Sequence, residues 1–557
     1  MVFQGGGSLG AYEAGAYQQI YRKVSLENMD DSRLFDIVAG TSIGAINSAV
    51  IVGHYLKNNN SWEGSAEKIL EFWEGLMHPT IADYLFDKNS FFRNSWDYLH
   101  TINPSIADTE SARRFWSIFE FAFTPRGVPN MYESVPKWGS KFLNPFTDFL
   151  PWWQYDYKQL RSYLSKFVDF PIKTSLEKGQ PRLLLTSVDI QDYAAPVVFD
   201  SYEKLHDASV NGCSKKIASE KEEKKNGNGS SRWYSEYGKT GHEHIVFYDG
   251  IGPDQVLASA LGKYALDHPQ IEDKATGNMR QLWDGGYLSN TPLRQLLTAH
   301  RNYWTEYLLK NRRSSDDELF MPAPELEVYI INLHALSQSG IPQDKDLIDD
   351  RENDILFHDR TTHDEHTAYL MTDFENLATD LVELARSKGL SKSVDEILER
   401  NAKTIARIGK KHRFTTYRGL LVSTPRISKV WRIDRLDSTD ATFGKVTDFT
   451  PSTIRKLIQT GEIDARISID KMEMIFAIED LISDGIMSIE EGETIMDGAR
   501  EVLTTEQLLY KKTKEEAIEA YNKFVKVLEA KGISSERKEM LLKPVKDIIA
   551  IVSEADR

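Results

Sequence analysis

Blocks of apolar residues alternate with polar turns at the start of the chain, and their spacing predicts strand, helix, strand and helix in that order. Val2 to Gln4 is typical of a short buried strand, and apolar residues at helical spacing follow from Ala14 to Val24. The next apolar run, from Leu34 to Val38, precedes another from Ala45 to Val52. We therefore expect an α/β protein.

The pattern changes along the rest of the chain. Residues 183–189 and 196–199 are typical of paired strands, and residues 327–332 of a further central strand. After about residue 345 the pattern turns helical. Apolar residues at helix spacing there predict a stripe that faces the core, made of Leu370, Phe374, Leu377, Leu381 and Leu384.

A serine stands at the predicted turn between the second strand and the second helix, in Gly40-Thr41-Ser42-Ile43-Gly44. A serine at the tip of such an elbow adopts a strained backbone conformation that exposes its hydroxyl, while the flanking glycines let strand and helix pass without a clash. The same residues also suit an ordinary helix N-cap or a tight turn. Ser42 is the candidate nucleophile.

A glycine-rich motif follows the first strand directly, with the sequence Gly5-Gly6-Gly7-Ser8-Leu9-Gly10. Bare amides at a helix N-terminus favour negative charge, either a phosphate or the oxyanion of acyl transfer. The spacing of the glycines also satisfies the dinucleotide-binding pattern, which requires an acidic residue at the end of the second strand. That strand leads into Ser42 instead, which disfavours the dinucleotide interpretation.

An acid motif lies far along the chain, where Asp284 is followed by Gly285, Gly286 and further turn residues up to Pro292. Such a turn holds a carboxylate at the edge of a loop with little bulk around it, and by itself is typical of a structural turn. A serine hydroxyl is a weak nucleophile that needs an adjacent base, and Asp284 is the best-placed acid for that role.

Together and in this order, the three motifs resemble those of the patatin-like phospholipase family over about residues 1–335. The resemblance implies a three-layer α/β/α fold with a mostly parallel central sheet, plus an α-helical C-terminal extension. We expect a catalytic domain over residues 1–345, a helical and mixed extension over 346–467 and a helical segment over 468–557. Residues 429–433 and 448–454 resemble, more weakly, the tail of a microbial subgroup of the family.

The resemblance also implies roles for individual residues. It implies a lipid acyl hydrolase with a Ser-Asp dyad, in which Ser42 is the nucleophile and Asp284 acts on it directly as general base. The backbone amides of Gly5, Gly6 and Gly7 are the implied oxyanion hole. The remaining glycines of the three motifs are Gly10, Gly40, Gly44, Gly285 and Gly286. Many relatives carry a basic residue at the position of Leu9, so no positive contact to a substrate phosphate is assumed there.

Three alternatives stay open at this point. A Ser-His-Asp triad could use His300 or His334, which follow Asp284 in the order of an α/β-hydrolase, although that fold places its elbow after several strands. An acyltransferase is compatible with the same dyad, because an alcohol or thiol can capture an acyl-serine in place of water. A non-catalytic scaffold that acts through its helical tail belongs to a different class.

Two insertions interrupt the predicted catalytic domain. Residues 206–243 are polar and predict a loop between strands. Residues 65–158 predict either a lid or lipid-facing rim, or an extra helical layer packed by aromatic rings. The aromatic residues concerned are Trp73, Trp96, Trp116, Trp138, Trp152, Trp153, Phe119, Phe121, Phe123, Phe142, Phe146 and Phe149.

Composition sets further limits. The net charge of -16 disfavours nucleic acid as a partner, and also generic adhesion to anionic membranes. The chain has one cysteine and so no disulfide framework, which is typical of a reducing compartment, and we expect a cytoplasmic protein. We expect an acyl lipid as substrate, peripheral contact with membranes, no cofactor, no metal, and homo-oligomers formed through the helical tail.

Overall fold

The fold is known from a computed structural model, which describes most of the chain up to residue 493. The described residues are 1–28, 33–104, 106–136, 153–191, 196–202, 244–247, 250–262, 265–273, 278–310, 323–336, 341, 345–400, 416–422, 426–435, 445–485 and 487–493, with scattered positions between 522 and 546. The predicted loop over residues 206–243 and most of the predicted tail lie outside them. The role of that tail in forming homo-oligomers stays a prediction.

Strands of the described chain form one large sheet and one small hairpin-like pair. Nine of them build the large sheet in the order β11-β10-β1-β2-β5-β6-β7, with β9 beside β5 and β8 beside β9. The strands are β1 (Val2–Phe3), β2 (Ile37–Thr41), β3 (Glu133–Pro136), β4 (Trp153–Asp156), β5 (Arg182–Asp189), β6 (Pro196–Asp200), β7 (His244–Phe247), β8 (Gln270–Asp273), β9 (Asn278–Asp284), β10 (Leu326–Asn332) and β11 (Ile427–Asp434).

The centre of the large sheet is parallel. Strand β1 pairs in parallel with both β10 and β2, β2 pairs in parallel with β5, and β11 extends the sheet in parallel beyond β10. The antiparallel pairs are β5 with β6, β5 with β9 and β8 with β9. Every residue of β2 and β5 is buried, as expected for strands covered by helices on both faces.

Helices cover both faces of this sheet. They are α1 (Gly10–Glu27), α2 (Ile43–Lys57), α3 (Ser65–Glu74), α4 (Ile81–Leu85), α5 (Phe91–Ile102), α6 (Thr109–Phe123), α7 (Lys158–Phe167), α8 (Pro253–Ala260), α9 (Leu293–Lys310), α10 (Lys345–Phe357), α11 (Thr362–Ser387), α12 (Ser391–Leu398), α13 (Tyr417–Val422) and α14 (Pro451–Ser483). Of the helices that the structure describes, none is long and apolar enough to cross a membrane.

Alternating side chains of the strands divide the core into two clusters. Phe3 and Val38 belong to one cluster, which includes apolar residues of α1, α2 and α14. Val2 and Ala39 point to the opposite face and join a second cluster with residues of α9 and α11, such as Leu293. Because side chains in a strand alternate between faces, this division gives three layers and confirms the predicted α/β/α architecture.

The C-terminal extension packs on the core of the fold. Helix α14 crosses α1 closely, because an added Cβ at Gly461 would lie closer than 3.0 Å to the Tyr12 carbonyl oxygen. The Tyr12 hydroxyl also donates a hydrogen bond to Asp464 on α14, at 3.0 Å. The helix continues through residue 468, where the predicted third unit begins. The division into three units itself stays a prediction.

The apolar stripe on α11 does not face the core, contrary to the prediction. Its five residues are 42–59% exposed: Leu370, Phe374, Leu377, Leu381 and Leu384. The helix instead buries Ala368, Thr372 and Glu375. Thr372 Oγ1 accepts a hydrogen bond from the Ile427 amide of β11, so this side of α11 faces the sheet and the larger residues point outwards. Helical periodicity locates an apolar face but does not say what covers it.

The aromatic insertion has both a buried and an exposed part. Trp73 and Phe121 are buried. On α6, four aromatic side chains form a continuous row with exposed fractions of 43–53%: Phe115, Trp116, Phe119 and Phe123. We call this row the aromatic face. The described residues do not include Trp138, Trp152, Phe142, Phe146, Phe149 or the side chain of Trp153.

Candidate active site

Ser42 stands at a sharp turn between β2 and α2. Its backbone angles are φ 57° and ψ −124°, in a region that residues other than glycine rarely adopt. Its carbonyl oxygen accepts hydrogen bonds from the amides of Ala45 and Ile46, so the helix begins directly at the serine. The positive end of the α2 dipole therefore lies next to the hydroxyl.

Glycines allow the chain to approach itself closely around this turn. An added Cβ at Gly40 would lie closer than 3.0 Å to the Gly44 carbonyl oxygen, and one at Gly44 would meet the Phe3 carbonyl oxygen in the same way. A Cβ at Gly10 or Gly285 would also come closer than 3.0 Å to a neighbouring atom. The spacing of the elbow motif thus has a steric cause, since strand and helix cross at contact distance.

Strand register brings Asp284 to Ser42. Strand β5 pairs with β2 as far as Thr41, which lies opposite Thr186. The next residue of β5, Ser187, pairs with Asp284 at the end of β9. Because β6 occupies the other edge of β5 along these residues, β9 continues the edge that β2 leaves at the elbow. Asp284 thus lies beside β5 at the position where the next residue of β2 would pair if that strand continued beyond Thr41.

The two side chains are in direct contact. Ser42 Oγ donates a hydrogen bond to Asp284 Oδ2 at 2.5 Å. The other carboxylate oxygen, Oδ1, accepts a hydrogen bond from the Gly286 amide at 2.7 Å. Burial raises the pKa of Asp284 from its usual 3.8 to about 6, while its two hydrogen bonds act in the opposite direction. A carboxylate with this pKa is ionised at neutral pH and is a better base than an exposed aspartate.

The glycine-rich loop lies next to Ser42, and the backbone amides of its glycines differ in their hydrogen bonds. The Gly5 amide donates to the Asn290 carbonyl oxygen at 3.2 Å, so it is already engaged. Within the described part of the chain, the amides of Gly6 and Gly7 have no acceptor. An added Cβ on Gly5 would lie 2.8 Å from Ser42 Cβ, so the loop touches the serine. Free amides beside a nucleophile can bind an oxyanion.

The sequence comparisons agree with this geometry. The model of the patatin-like phospholipase family matches residues 1–297, which is more than half of the chain. The chain belongs to this family. A comparison with curated proteins found no match. Membership of the patatin-like phospholipases places the protein among the lipid acyl hydrolases.

The histidines considered for a triad have other partners in this patatin-like protein. His300 Nε2 lies 2.9 Å from the Pro324 carbonyl oxygen, and burial lowers the pKa of His300 to about 4. His334 Nε2 lies 3.1 Å from the Gly5 carbonyl oxygen and its Nδ1 lies 3.1 Å from Asp354 Oδ1. Leu9, where no positive contact to a substrate phosphate was assumed, is buried in the core.

Two buried serines support the elbow, and neither was singled out from the sequence as a site residue. Ser259 Oγ accepts a hydrogen bond from the Ser42 amide at 3.2 Å and donates to the Thr186 carbonyl oxygen at 2.5 Å. Ser187 Oγ lies 2.8 Å from the carbonyl oxygen that precedes Asp284. Local sequence gives no signal for such contacts, because they join segments far apart in the chain. Across the described residues, no group of three or more potential metal ligands is found.

Proposed function

We propose that this patatin-like protein hydrolyses carboxylic esters of phospholipids or related acyl lipids with Ser42 as nucleophile and Asp284 as general base. The observation that carries the proposal is the 2.5 Å hydrogen bond from Ser42 Oγ to Asp284 Oδ2. The raised pKa of Asp284 supports its role as base, and the other contacts of His300 and His334 favour a dyad over a triad.

The proposed reaction has two halves. As Ser42 Oγ bonds to the ester carbonyl carbon, its proton passes to Asp284, and the oxyanion is bound by the amides of Gly6 and Gly7. Collapse breaks the ester bond and the leaving alcohol takes the proton from Asp284. Water then gives a proton to Asp284 and attacks the acyl-serine. The fatty acid departs and Ser42 Oγ recovers its proton.

The test compares variants on lipid esters. We expect Ser42→Ala and Asp284→Asn to lower kcat by about 10⁴-fold or more, as removal of a nucleophile or its base does in other serine hydrolases. A fluorophosphonate should label Ser42 in the wild type and leave the Ser42→Ala protein unlabelled. Ser25→Ala is the matched control, because Ser25 Oγ donates to the Tyr21 carbonyl oxygen within α1. Full turnover by Ser42→Ala would exclude this mechanism.

The same experiment separates hydrolase, acyltransferase and scaffold. Products are measured with and without an added alcohol or thiol, because an acyl-serine can be captured by either acceptor. Free fatty acid as the main product in both conditions supports the hydrolase. An acylated acceptor as the main product would favour an acyltransferase. Absence of turnover and of labelling in the wild type would favour the scaffold.

We also propose that the aromatic face of α6 contacts the lipid surface that contains the substrate. Aromatic rings favour the interface between water and lipid, and neighbouring rings of this face lie 4.5–6.0 Å apart. Helix α6, which carries this face, is joined to the small sheet, because the Phe121 carbonyl oxygen accepts a hydrogen bond from Ser134 on β3.

Vesicle sedimentation tests this contact. Trp116→Ser and Phe119→Ser should weaken binding to phosphatidylcholine vesicles, by about tenfold for the pair, since each change removes apolar area from the interface. Phe374→Ser and Leu377→Ser on the exposed stripe of α11 are the matched control. Activity on a short-chain soluble ester should stay unchanged in all four variants. Equal binding by both sets would overturn the assignment of the aromatic face.

A further inference from the structure

His334, which lies beyond the residues that the family model matches, contacts the glycine-rich loop. His334 follows β10 and its side chain is 2% exposed. Its Nε2 lies 3.1 Å from the Gly5 carbonyl oxygen, which also accepts a hydrogen bond from Asn290 Nδ2 at 3.0 Å. The Gly5 amide returns a bond to the Asn290 carbonyl oxygen. The peptide that joins Gly5 to Gly6 is therefore held through its carbonyl group.

Peptide geometry transmits this contact to the proposed oxyanion hole. The Gly5 carbonyl and the Gly6 amide belong to one planar trans unit, in which C=O and N–H point in opposite directions. Donors that fix the carbonyl therefore also fix the direction of the Gly6 N–H. Hydrogen bonds to the carbonyl further polarise the unit and strengthen the amide as a donor.

A buried charged cluster holds His334 in place. Its Nδ1 lies 3.1 Å from Asp354 Oδ1, and the same oxygen accepts a hydrogen bond from Lys445 Nζ at 2.8 Å. Lys445 also pairs with Asp350 at 3.0 Å, and Arg435 donates to the carbonyl oxygen of Leu333 beside the histidine. Both ring nitrogens of His334 face oxygen acceptors. Burial lowers the pKa of His334, while its contact with Asp354 acts in the opposite direction. The ring donates to the Gly5 carbonyl oxygen when Nε2 carries a proton.

The backbone around Lys445 touches the same loop. Ser8 Oγ donates to the Lys445 carbonyl oxygen at 2.8 Å. Gly7 has φ +57°, and an added Cβ there would lie closer than 3.0 Å to the Val446 carbonyl oxygen. Residues 334, 354 and 445 all lie beyond residue 297, where the family match ends. Residues from the C-terminal part of the chain thus pack against the glycine-rich loop.

We propose that His334, held by Asp354 and Lys445, is a positioning residue that orients the Gly5–Gly6 peptide so that the Gly6 amide binds the oxyanion. The inference rests on the proposed hydrolase function and deepens it. Residues beyond the family match then contribute to the active site, since His334 joins Asn290 in holding the carbonyl group of this peptide.

The test separates orientation from stability. His334→Leu removes the donor to Gly5, and we expect kcat to fall about tenfold to a hundredfold while KM changes less than about twofold, because an oxyanion donor acts mainly in the transition state. His334→Gln places an amide N–H near the position of Nε2, and kcat should recover to within about threefold of the wild type. Asp354→Asn is a second variant, with a smaller expected fall in kcat.

His300→Leu is the matched control, because His300 is also buried and hydrogen-bonded to a carbonyl oxygen but lies away from the loop. It should lower the melting temperature and leave kcat of the folded protein unchanged. Folded His334→Leu and Asp354→Asn proteins with wild-type kcat would overturn the inference, as would no better activity for Gln than for Leu. If the wild type neither hydrolyses esters nor is labelled at Ser42, the proposed function fails and this inference with it.

Discussion

Replacement of Asp284 by Asn should make the protein more stable while abolishing its activity. The carboxylate is held in a site where burial raises its pKa from 3.8 to about 6. The native state therefore binds the carboxyl proton more tightly than the unfolded state does. Above pH 6 the site contains a charge whose burial opposes folding. An asparagine has nearly the same shape, accepts from the Gly286 amide through Oδ1, and has no charge to bury.

The size of the effect follows from the pKa. A rise from 3.8 to about 6 is about two pH units, and each unit corresponds to about 1.4 kcal/mol, so the ionised carboxylate costs the native state about 3 kcal/mol at neutral pH. As the pH falls below 6, the native state takes up a proton that the unfolded state does not bind. The cost then decreases and disappears near pH 4. The gain from Asp284→Asn should decrease in parallel.

Denaturant unfolding between pH 4 and pH 8 measures this difference. We expect Asp284→Asn to raise the free energy of unfolding by about 3 kcal/mol at pH 8 and by almost nothing at pH 4. Ser25→Ala serves as a control with no pH-dependent change. A gain of the same size at every pH, or a loss at pH 8, would refute the reasoning, because neither result can come from a buried carboxylate.

Three further outcomes are expected. The logarithm of kcat/KM should rise with pH and level off above an apparent pKa of about 6, because Asp284 must be ionised to act as base. An apparent pKa near 4 in this profile would contradict the prediction. Ser259→Ala should lower the free energy of unfolding by about 1–3 kcal/mol and reduce kcat, because the Ser42 amide loses its hydrogen-bond acceptor. Denaturant unfolding measures the first effect and steady-state kinetics the second. Unchanged values would count against the hydrogen bond between Ser42 and Ser259. Gly461→Ala should cost about 1–3 kcal/mol of unfolding free energy where α14 crosses α1. At Gly262 the nearest atom that an added Cβ would meet within the described residues is 3.9 Å away, so Gly262→Ala should cost less than about 1 kcal/mol; equal effects would contradict the close crossing.

Local sequence was sufficient wherever the chain itself imposes the geometry. The elbow around Ser42 could be predicted because only small residues fit where β2 and α2 cross. Strands β5, β6 and β10 were visible as apolar runs, and the structure confirms them close to the expected boundaries. These elements predicted an α/β protein, and the family resemblance implied the three-layer architecture.

Long-range contacts could not be predicted in this way. The stripe on α11 has the correct period but faces outwards, because periodicity does not identify the surface that packs against a helix. Gly5 was expected to be an oxyanion donor together with Gly6 and Gly7, yet its amide is bound to Asn290. His334 was considered as a triad base, and the fold places it behind the glycine-rich loop instead.

The sequence by itself determined which groups carry the candidate chemistry: a hydroxyl on a strained turn, a carboxylate on an Asp-Gly-Gly turn and bare amides after the first strand. Each belongs to a short segment whose conformation depends on its own residues. The tertiary structure alone decided which of these groups meet. The register of β5 places Asp284 in the position that β2 vacates at Ser42, and residues from beyond position 297 enclose the loop. Such contacts depend on how segments far apart in the sequence pack together, and no local sequence pattern specifies that packing.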